Sequence, residues 1–382
     1  MDVDAIIVPT AREAAALEPA IELAGKLGAT LVALCSRASS ASEVTALVKG
    51  KGVKLVAIDI DGLPVGVVPT FKTCKVLSGT SFERLTDTSL KRNFGLLLAR
   101  LIGWERIVFL DDDIKVPEPI DLRDAAGLTD QYAGVGLAIG DMPDNSVVCH
   151  AFREAGGAQE MFIGGGALAI GPRSMSSFFP NIYNEDWFFL LDDDGLRPTA
   201  ITGTALQKKY DPFREERART EELGDSLAEG LFWLLDHRES LRDAATFEHW
   251  EKFLGERARF ITDVIGMVGR MNGDPGQRGR MLLSLNAALE SCQQIDPDLC
   301  VRYVDAWHAD RGIWRNHIED IHHTLVEKEE RTPRERRSRV GVREMLRSLD
   351  FADNIVRLHV PPKGFHHDSA DFDPAFSVAV GQ

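Results

Sequence analysis

The sequence predicts an α/β fold, a mostly parallel sheet flanked by helices, with a mainly helical C-terminal region. Short apolar runs alternate with helix-patterned stretches in the first part of the chain, one of these runs ends in three consecutive carboxylates, and strand-like runs fade after about residue 215. Such βαβαβ alternation predicts parallel strands joined by right-handed crossovers.

Ala5-Ile6-Ile7-Val8-Pro9-Thr10 is a first strand, closed near Pro9. Residues 11–27 carry apolar positions at helical spacing, with Gly28 as C-cap. Thr30–Cys35 is a second strand, Ser36–Ser42 a turn, 43–50 a short helix, and Lys54–Asp61 a third strand with acids at its end. A loop over Pro64–Thr80 leads to a helix from about Ser89 to Leu101, with Lys91-Arg92-Asn93 near its start, an apolar face of Phe94, Leu97, Leu98 and Leu101, and Gly103 beyond its end. Next comes Ile107-Val108-Phe109-Leu110-Asp111-Asp112-Asp113-Ile114. Its unbroken apolar half suits a strand buried on both faces, and its acids fall at the carboxyl end, where open α/β sheets bind ligands. A short helix near 121–127, a strand over Ala133–Gly140, a Gly-rich loop feeding a strand (162–171), a helix opening at Asn184-Glu185-Asp186 and a strand over 199–206 complete this part. Amphipathic helical patterns then run to about 350, Glu327–Arg347 reads as a solvated helix or linker, and the tail from Pro361 reads as loop. The chain therefore divides into 1–214, a helical region 215–350 and a tail 351–382.

Two unit charges about 4 Å apart repel by roughly 4 kcal/mol at an effective dielectric of about 20. Three adjacent acids closing a buried strand thus call for a cation. On an extended chain Asp111 and Asp113 point one way and Asp112 the other, and hard oxygen donors in that arrangement suit Mg²⁺ or Mn²⁺ with phosphate oxygens completing the shell. A solvated acidic turn is the plainer reading. Asp59 or Asp61 could accept hydrogen bonds from a base or ribose, or simply cap a turn. Lys91 and Arg92 could meet a diphosphate, or sit in a solvated first turn. Glu185 or Asp186 could act as general base on an acceptor hydroxyl, or merely offset the helix dipole. The Asp192-Asp193-Asp194-Gly195 triplet competes for the metal, but it reads as the end of a helix stopping at Gly195. The Gly164–Gly166 loop has neither the Lys-Ser/Thr of a P-loop nor dinucleotide spacing.

Composition bounds the partners. The 382 residues carry a formal net charge of −15, which argues against general nucleic-acid or anionic-membrane binding. Five scattered cysteines without a Cys-x-x-Cys pair indicate neither zinc ribbon nor disulfide scaffold and fit reduced, cytoplasmic thiols. The acidic start MDVDAIIVPT is unlike a signal peptide, and no apolar run approaches the ~18 residues of a membrane span.

Taken in order, the first strand, Lys91-Arg92-Asn93-x-Gly95, Phe109-Leu110-Asp111-Asp112-Asp113, Gly164-Gly165-Gly166 and Asn184-Glu185-Asp186 resemble the GT-A glycosyltransferases, particularly their family-2-like group, over about residues 3–235. The resemblance implies transfer of a sugar from a nucleotide-diphosphate sugar, UDP- or GDP-linked, to a hydroxyl acceptor, expected to be a small soluble molecule. Residues 1–214 would then be the nucleotide-sugar-binding domain with its acceptor region. It implies a divalent metal on Asp111 and Asp113, and donor nucleotide near Pro9, Thr10, Arg12, Asp59, Asp61, Lys91, Arg92 and Asp112. The acceptor would lie near Gly164, Gly165 and Gly166, with Asp186 and Glu185 as the catalytic acids. The chain departs from processive members of that group in having neither Gln-x-x-Arg-Trp nor membrane helices. A downstream His often adds a metal ligand in such enzymes; the candidates are His237, His249, His366 and His367, with His237 preferred. Two alternatives are a nucleotidyltransferase making the nucleotide sugar, disfavoured because Thr10-Ala11-Arg12-Glu13 contains no Gly, and a non-catalytic nucleotide-sugar-binding protein. Apolar helix faces such as 231–235 and 281–283 must be buried against the first domain, within the bundle, or in a homodimer.

Overall fold

The structure, a computed structural model, describes residues 2–63, 66–140, 146–158, 163–237, 239–241, 246–330 and 355–359. Its elements run β1 (Ala5–Thr10), α1 (Glu18–Leu27), β2 (Thr30–Cys35), α2 (Ala41–Val48), β3 (Lys54–Asp59), α3 (Lys72–Leu77), α4 (Thr88–Ile102), β4 (Ile107–Leu110), β5 (Ile114–Lys115), α5 (Pro119–Leu128), β6 (Gly134–Gly140), α6 (Val147–Glu154), β7 (Ala167–Ile170), α7 (Glu185–Leu190), β8 (Leu191–Asp192), β9 (Gly195–Leu196) and β10 (Thr199–Gln207). Four long helices follow, α8 (Glu215–Asp236), α9 (Phe247–Gly269), α10 (Pro275–Gln293) and α11 (Pro297–Glu330), and then β11 (Ile355–His359).

One sheet takes all but the β8–β9 hairpin, in the order β11-β3-β2-β1-β4-β7-β6-β10-β5. The expected parallel half is there: β3, β2, β1 and β4 pair in parallel. The other half is mixed, because β7 lies antiparallel between β4 and β6 and β5 runs antiparallel to β10. Apolar runs do not encode strand direction, so the sequence could not show this reversal. Ile355–His359, within the expected tail, pairs antiparallel with β3 as an edge strand. The region from Pro361 and most of Glu327–Arg347 lie outside the described residues. The helix begun at Glu185 ends at Leu190 rather than Gly195, and Asp193-Asp194 turns the β8–β9 hairpin instead.

Strand alternation sorts the core into two layers. Ile6, Val8, Leu31, Ala33, Val108 and Leu110 pack against α1, α2 and α5. Ile7, Val32, Leu34, Val56 and Phe109 face α4, and that apolar cluster continues without a break through α8, α9, α10 and α11 to Ile318. Because the sheet lies on one side of α4 and the helical region on the other, α4 is buried almost all round, polar residues included. Asn93 illustrates how it is satisfied: its Nδ2 donates to the Phe179 carbonyl at 2.8 Å, and its Oδ1 accepts from the Phe179 N–H at 2.8 Å. That exchange fixes the segment leading into α7.

Candidate active site

Two cavities meet at the carboxyl edge of β1 and β4. The first, about 260 Å³, is lined by Pro9, Arg12, Lys91, Asp111, Asp112 and Asp113 among others. The second, about 230 Å³, has Arg92, Asp111, Gly164, Gly165, Glu185 and Asp186 in its wall. Asp111 belongs to both.

β4 stops at Leu110 because Asp111 turns the chain: the Ile114 N–H donates to the Asp111 carbonyl at 3.1 Å. All three acids therefore line the first cavity, contrary to the alternation expected of an extended strand. The turn is pinned on both sides, by the Asp111 N–H on the Gly166 carbonyl at 2.9 Å and the Lys208 N–H on the Asp113 carbonyl at 2.9 Å. Asp112 accepts from Thr10 Oγ1 at 2.8 Å and from Arg12, which also donates to Asp113 at 2.8 Å. Arg12 itself is half exposed at the cavity mouth.

Arg92 and Lys91, expected together at a diphosphate, face different cavities. Lys91 lines the first, but its Nζ is committed to the Thr10 carbonyl at 2.8 Å, Ser36 Oγ at 2.7 Å and Asp87 at 3.0 Å. Burial pushes its ammonium pKa below the usual lysine value, and Asp87 opposes that shift. It ties the end of β1 to the loop after β2 and to the start of α4. Arg92 lines the second cavity and bridges Glu185 at 2.9 Å and Asp111 at 3.0 Å, its guanidinium lying 5.5 Å from the Phe179 ring centre. Gly165 is required there, because a Cβ at that position would run into the guanidinium.

Asp186 is held by backbone donors: the Gly165 N–H meets Oδ2, and the Trp187 N–H meets Oδ1 at 3.0 Å. Glu185 is buried, between Arg92 and Arg84, the latter at 3.6 Å. Asn184, before both, sits at φ 61° in the left-handed region and donates to Asp225 at 2.8 Å. α8 approaches this loop closely because Gly224 has no side chain to strike the Tyr183 backbone.

Three expected residues fall elsewhere. Asp59 accepts the Ala41 N–H at 2.8 Å and so anchors the start of α2. Asp61 is exposed in a 3₁₀ turn and is not in the wall of either cavity. His237, the preferred His for the metal, sits exposed at the end of α8, bonded to the Trp233 carbonyl at 2.6 Å with its ring against the Trp233 ring, in neither cavity wall. The loop acids Asp192–Asp194 are also outside both walls, and Asp193 pairs with Arg311 and His308.

The sequence reading missed the outer wall of the second cavity, where Asp225 and Glu229 of α8 lie. Arg257 of α9, buried behind them, donates to Glu222 at 2.9 Å, Asp225 at 3.2 Å and Glu229 at 2.7 Å. Burial pushes Glu222 up to about 7 despite Arg257, and raises Asp225 and Glu229 in the same direction. A signal was present in their spacing: acids at i, i+3 and i+7 share one face of a helix.

The donor set fits a hard divalent ion. Burial first, with Asp113 adding and Arg92 opposing, pushes Asp111 up to about 6, although 32% of its side-chain surface still faces open space. Burial, more than the neighbouring carboxylate, accounts for that shift. Among the described residues no group of three or more His, Cys, Asp or Glu side chains is arranged to hold a metal. Two carboxylates completed by phosphate and water oxygens is a normal Mg²⁺ arrangement.

No family model matches the chain, and no curated protein sequence does. Among solved structures, the mannosyltransferase PcManGT from Pyrobaculum calidifontis in complex with GDP-Man and Mn²⁺ is similar over 91% of this chain and 86% of that one, at 13% identity and a TM-score of 0.33. Similarity that distant settles neither family nor function. Among the described residues no helix is long and apolar enough to cross a membrane.

Proposed function

We propose that this chain is a GT-A-type glycosyltransferase that moves a sugar from a UDP- or GDP-linked donor to a hydroxyl acceptor with the help of Mg²⁺ or Mn²⁺. The supporting observation is Asp111, one carboxylate set in the shared wall of two cavities. Donor diphosphate in the first cavity and acceptor in the second would then meet where Asp111 stands.

Asp111 and Asp113 would hold the ion, which supplies charge for the departing diphosphate. Arg12, exposed at the mouth, is placed to turn from Asp112 and Asp113 toward a phosphate. Lys91 shapes the pocket through Thr10 and Ser36 rather than touching the diphosphate directly. Asp186, fixed by two backbone N–H groups, faces the acceptor hydroxyl as its base or orienting group. Glu185 acts through Arg92, holding the guanidinium that orients Asp111.

A panel of nucleoside diphosphates with and without Mn²⁺, read by thermal shift and calorimetry, tests the proposal. Binding of UDP or GDP that needs the metal, with slow hydrolysis of the matching sugar nucleotide, is expected. Full-strength binding without metal, or release of pyrophosphate from a nucleoside triphosphate, refutes it; the latter would point to nucleotidyl transfer.

A further inference from the structure

Resting on that transfer reading, we infer that the acceptor is an uncharged polyol about the size of one sugar ring, and that Asp225 and Glu229 on α8 select it. The second cavity holds about 230 Å³, below the ~300 Å³ at which pockets for drug-sized ligands begin. It therefore takes a small acceptor or the tip of a larger one.

Its wall is rich in carboxylates, Asp186, Asp225 and Glu229 among them, and among the described residues Arg84 and Arg92 are its only cations. An acceptor bearing phosphate or carboxylate would meet like charge in a poorly solvated space. The acids are not free charges awaiting an ammonium either. Asp225 keeps Arg257 and Asn184 as partners, and Glu185 and Asp111 share Arg92. What the wall still offers is hydrogen-bond acceptance. Glu229 shows it best: Oε2 takes the Arg257 bond at 2.7 Å, while Oε1 has no hydrogen-bond partner among the described residues and the side chain is 31% exposed. Asp225 and Glu229 stand one helical turn apart, so they present acceptors one above the other on the same face. Trp187, in the same wall and set edge-on against Phe232 at 4.9 Å, adds an aromatic ring beside these carboxylates. Carboxylates beside an aromatic plane match alternating O–H and C–H groups.

The experiment titrates glucose, myo-inositol, glucuronic acid, glucose 6-phosphate and glucosamine into the full chain, by ligand-observed NMR, for wild type and Glu229→Gln. Glucose or inositol should bind at least tenfold more tightly than glucuronic acid and glucose 6-phosphate, with glucosamine within threefold of glucose. Glu229→Gln should cut the neutral-to-anionic preference at least threefold while leaving nucleoside diphosphate binding unchanged. Anionic compounds binding as well as glucose, glucosamine binding tenfold better, no binding by any compound, or an unchanged preference in Glu229→Gln would each overturn the inference. Because these titrations need no nucleotide, failure of nucleoside diphosphate binding would count against the transfer reading alone.

Discussion

Replacing Arg257 with Met removes the cation that, among the described residues, touches Glu222, Asp225 and Glu229 together, while keeping most of the side-chain volume. Losing one partner of a buried ion pair costs about 3–5 kcal/mol, because the remaining charge is stranded. Glu222 and Asp225 are both almost fully buried, so the upper part of that range applies near neutral pH. The pH dependence follows from the raised carboxyl of Glu222, about 7 in the folded chain. The unfolded chain releases that proton near pH ~4.3. Between those values the folded state binds more protons, so this group's contribution is fully present below the unfolded value and is lost as pH rises through about 7. Without Arg257 the acids shift further up, and protonation relieves them at low pH. The loss for Arg257→Met should therefore be about 4 kcal/mol or more at pH 8 and shrink to about 1–3 kcal/mol at pH 5, where only hydrogen bonds are forfeited. Urea melts followed by tryptophan fluorescence read this directly, Trp250 lying buried in α9. A midpoint drop of about 1 M at pH 8 is expected. An equal loss at both pH values, or one below about 1 kcal/mol at pH 8, would show that Arg257 does not hold buried ionised acids.

Other perturbations reach the two cavities directly. Asp113→Ala should leave the melting curve near wild type, as a partly exposed turn residue, and reduce metal-dependent turnover about 10²–10³-fold, checked by sugar-nucleotide hydrolysis. Gly165→Ala drives a methyl group into the Arg92 guanidinium and should cost about 1–3 kcal/mol by urea melt together with most of the transfer activity. Lys91→Met strands the Thr10 carbonyl and the Asp87 carboxylate, and about 2–4 kcal/mol should be lost by the same melt, with weakened nucleoside diphosphate binding seen by calorimetry.

The parallel half of the sheet was legible because each strand is an apolar run bounded by turn chemistry, and Asp111 was legible because charge so rarely closes such a run. The side-chain partners were not. Lys91 and Arg92 are adjacent in sequence, but a helical step of about 100° sends them into different cavities, and pattern alone does not show that both faces of α4 are covered. Asp59 looked like a ligand to a base and turned out to anchor the start of α2, a choice set by how the next helix lands. His237 was chosen by residue type, and nothing in its spacing carried its position at the far end of α8. Asp225 and Glu229 carried only their helical spacing as a signal, and the close approach at Gly224 that brings α8 against the Asn184 loop is not written in it.

That close approach has a consequence for how the molecule can change. The first cavity is built from residues up to Asp113, whereas the outer wall of the second belongs to a helix that begins only at Glu215. If the proposed transfer holds, substitutions along one face of α8 would retune the second cavity while the first stays as it is. A single helix pressed against a loop lets one cavity drift in sequence without the other.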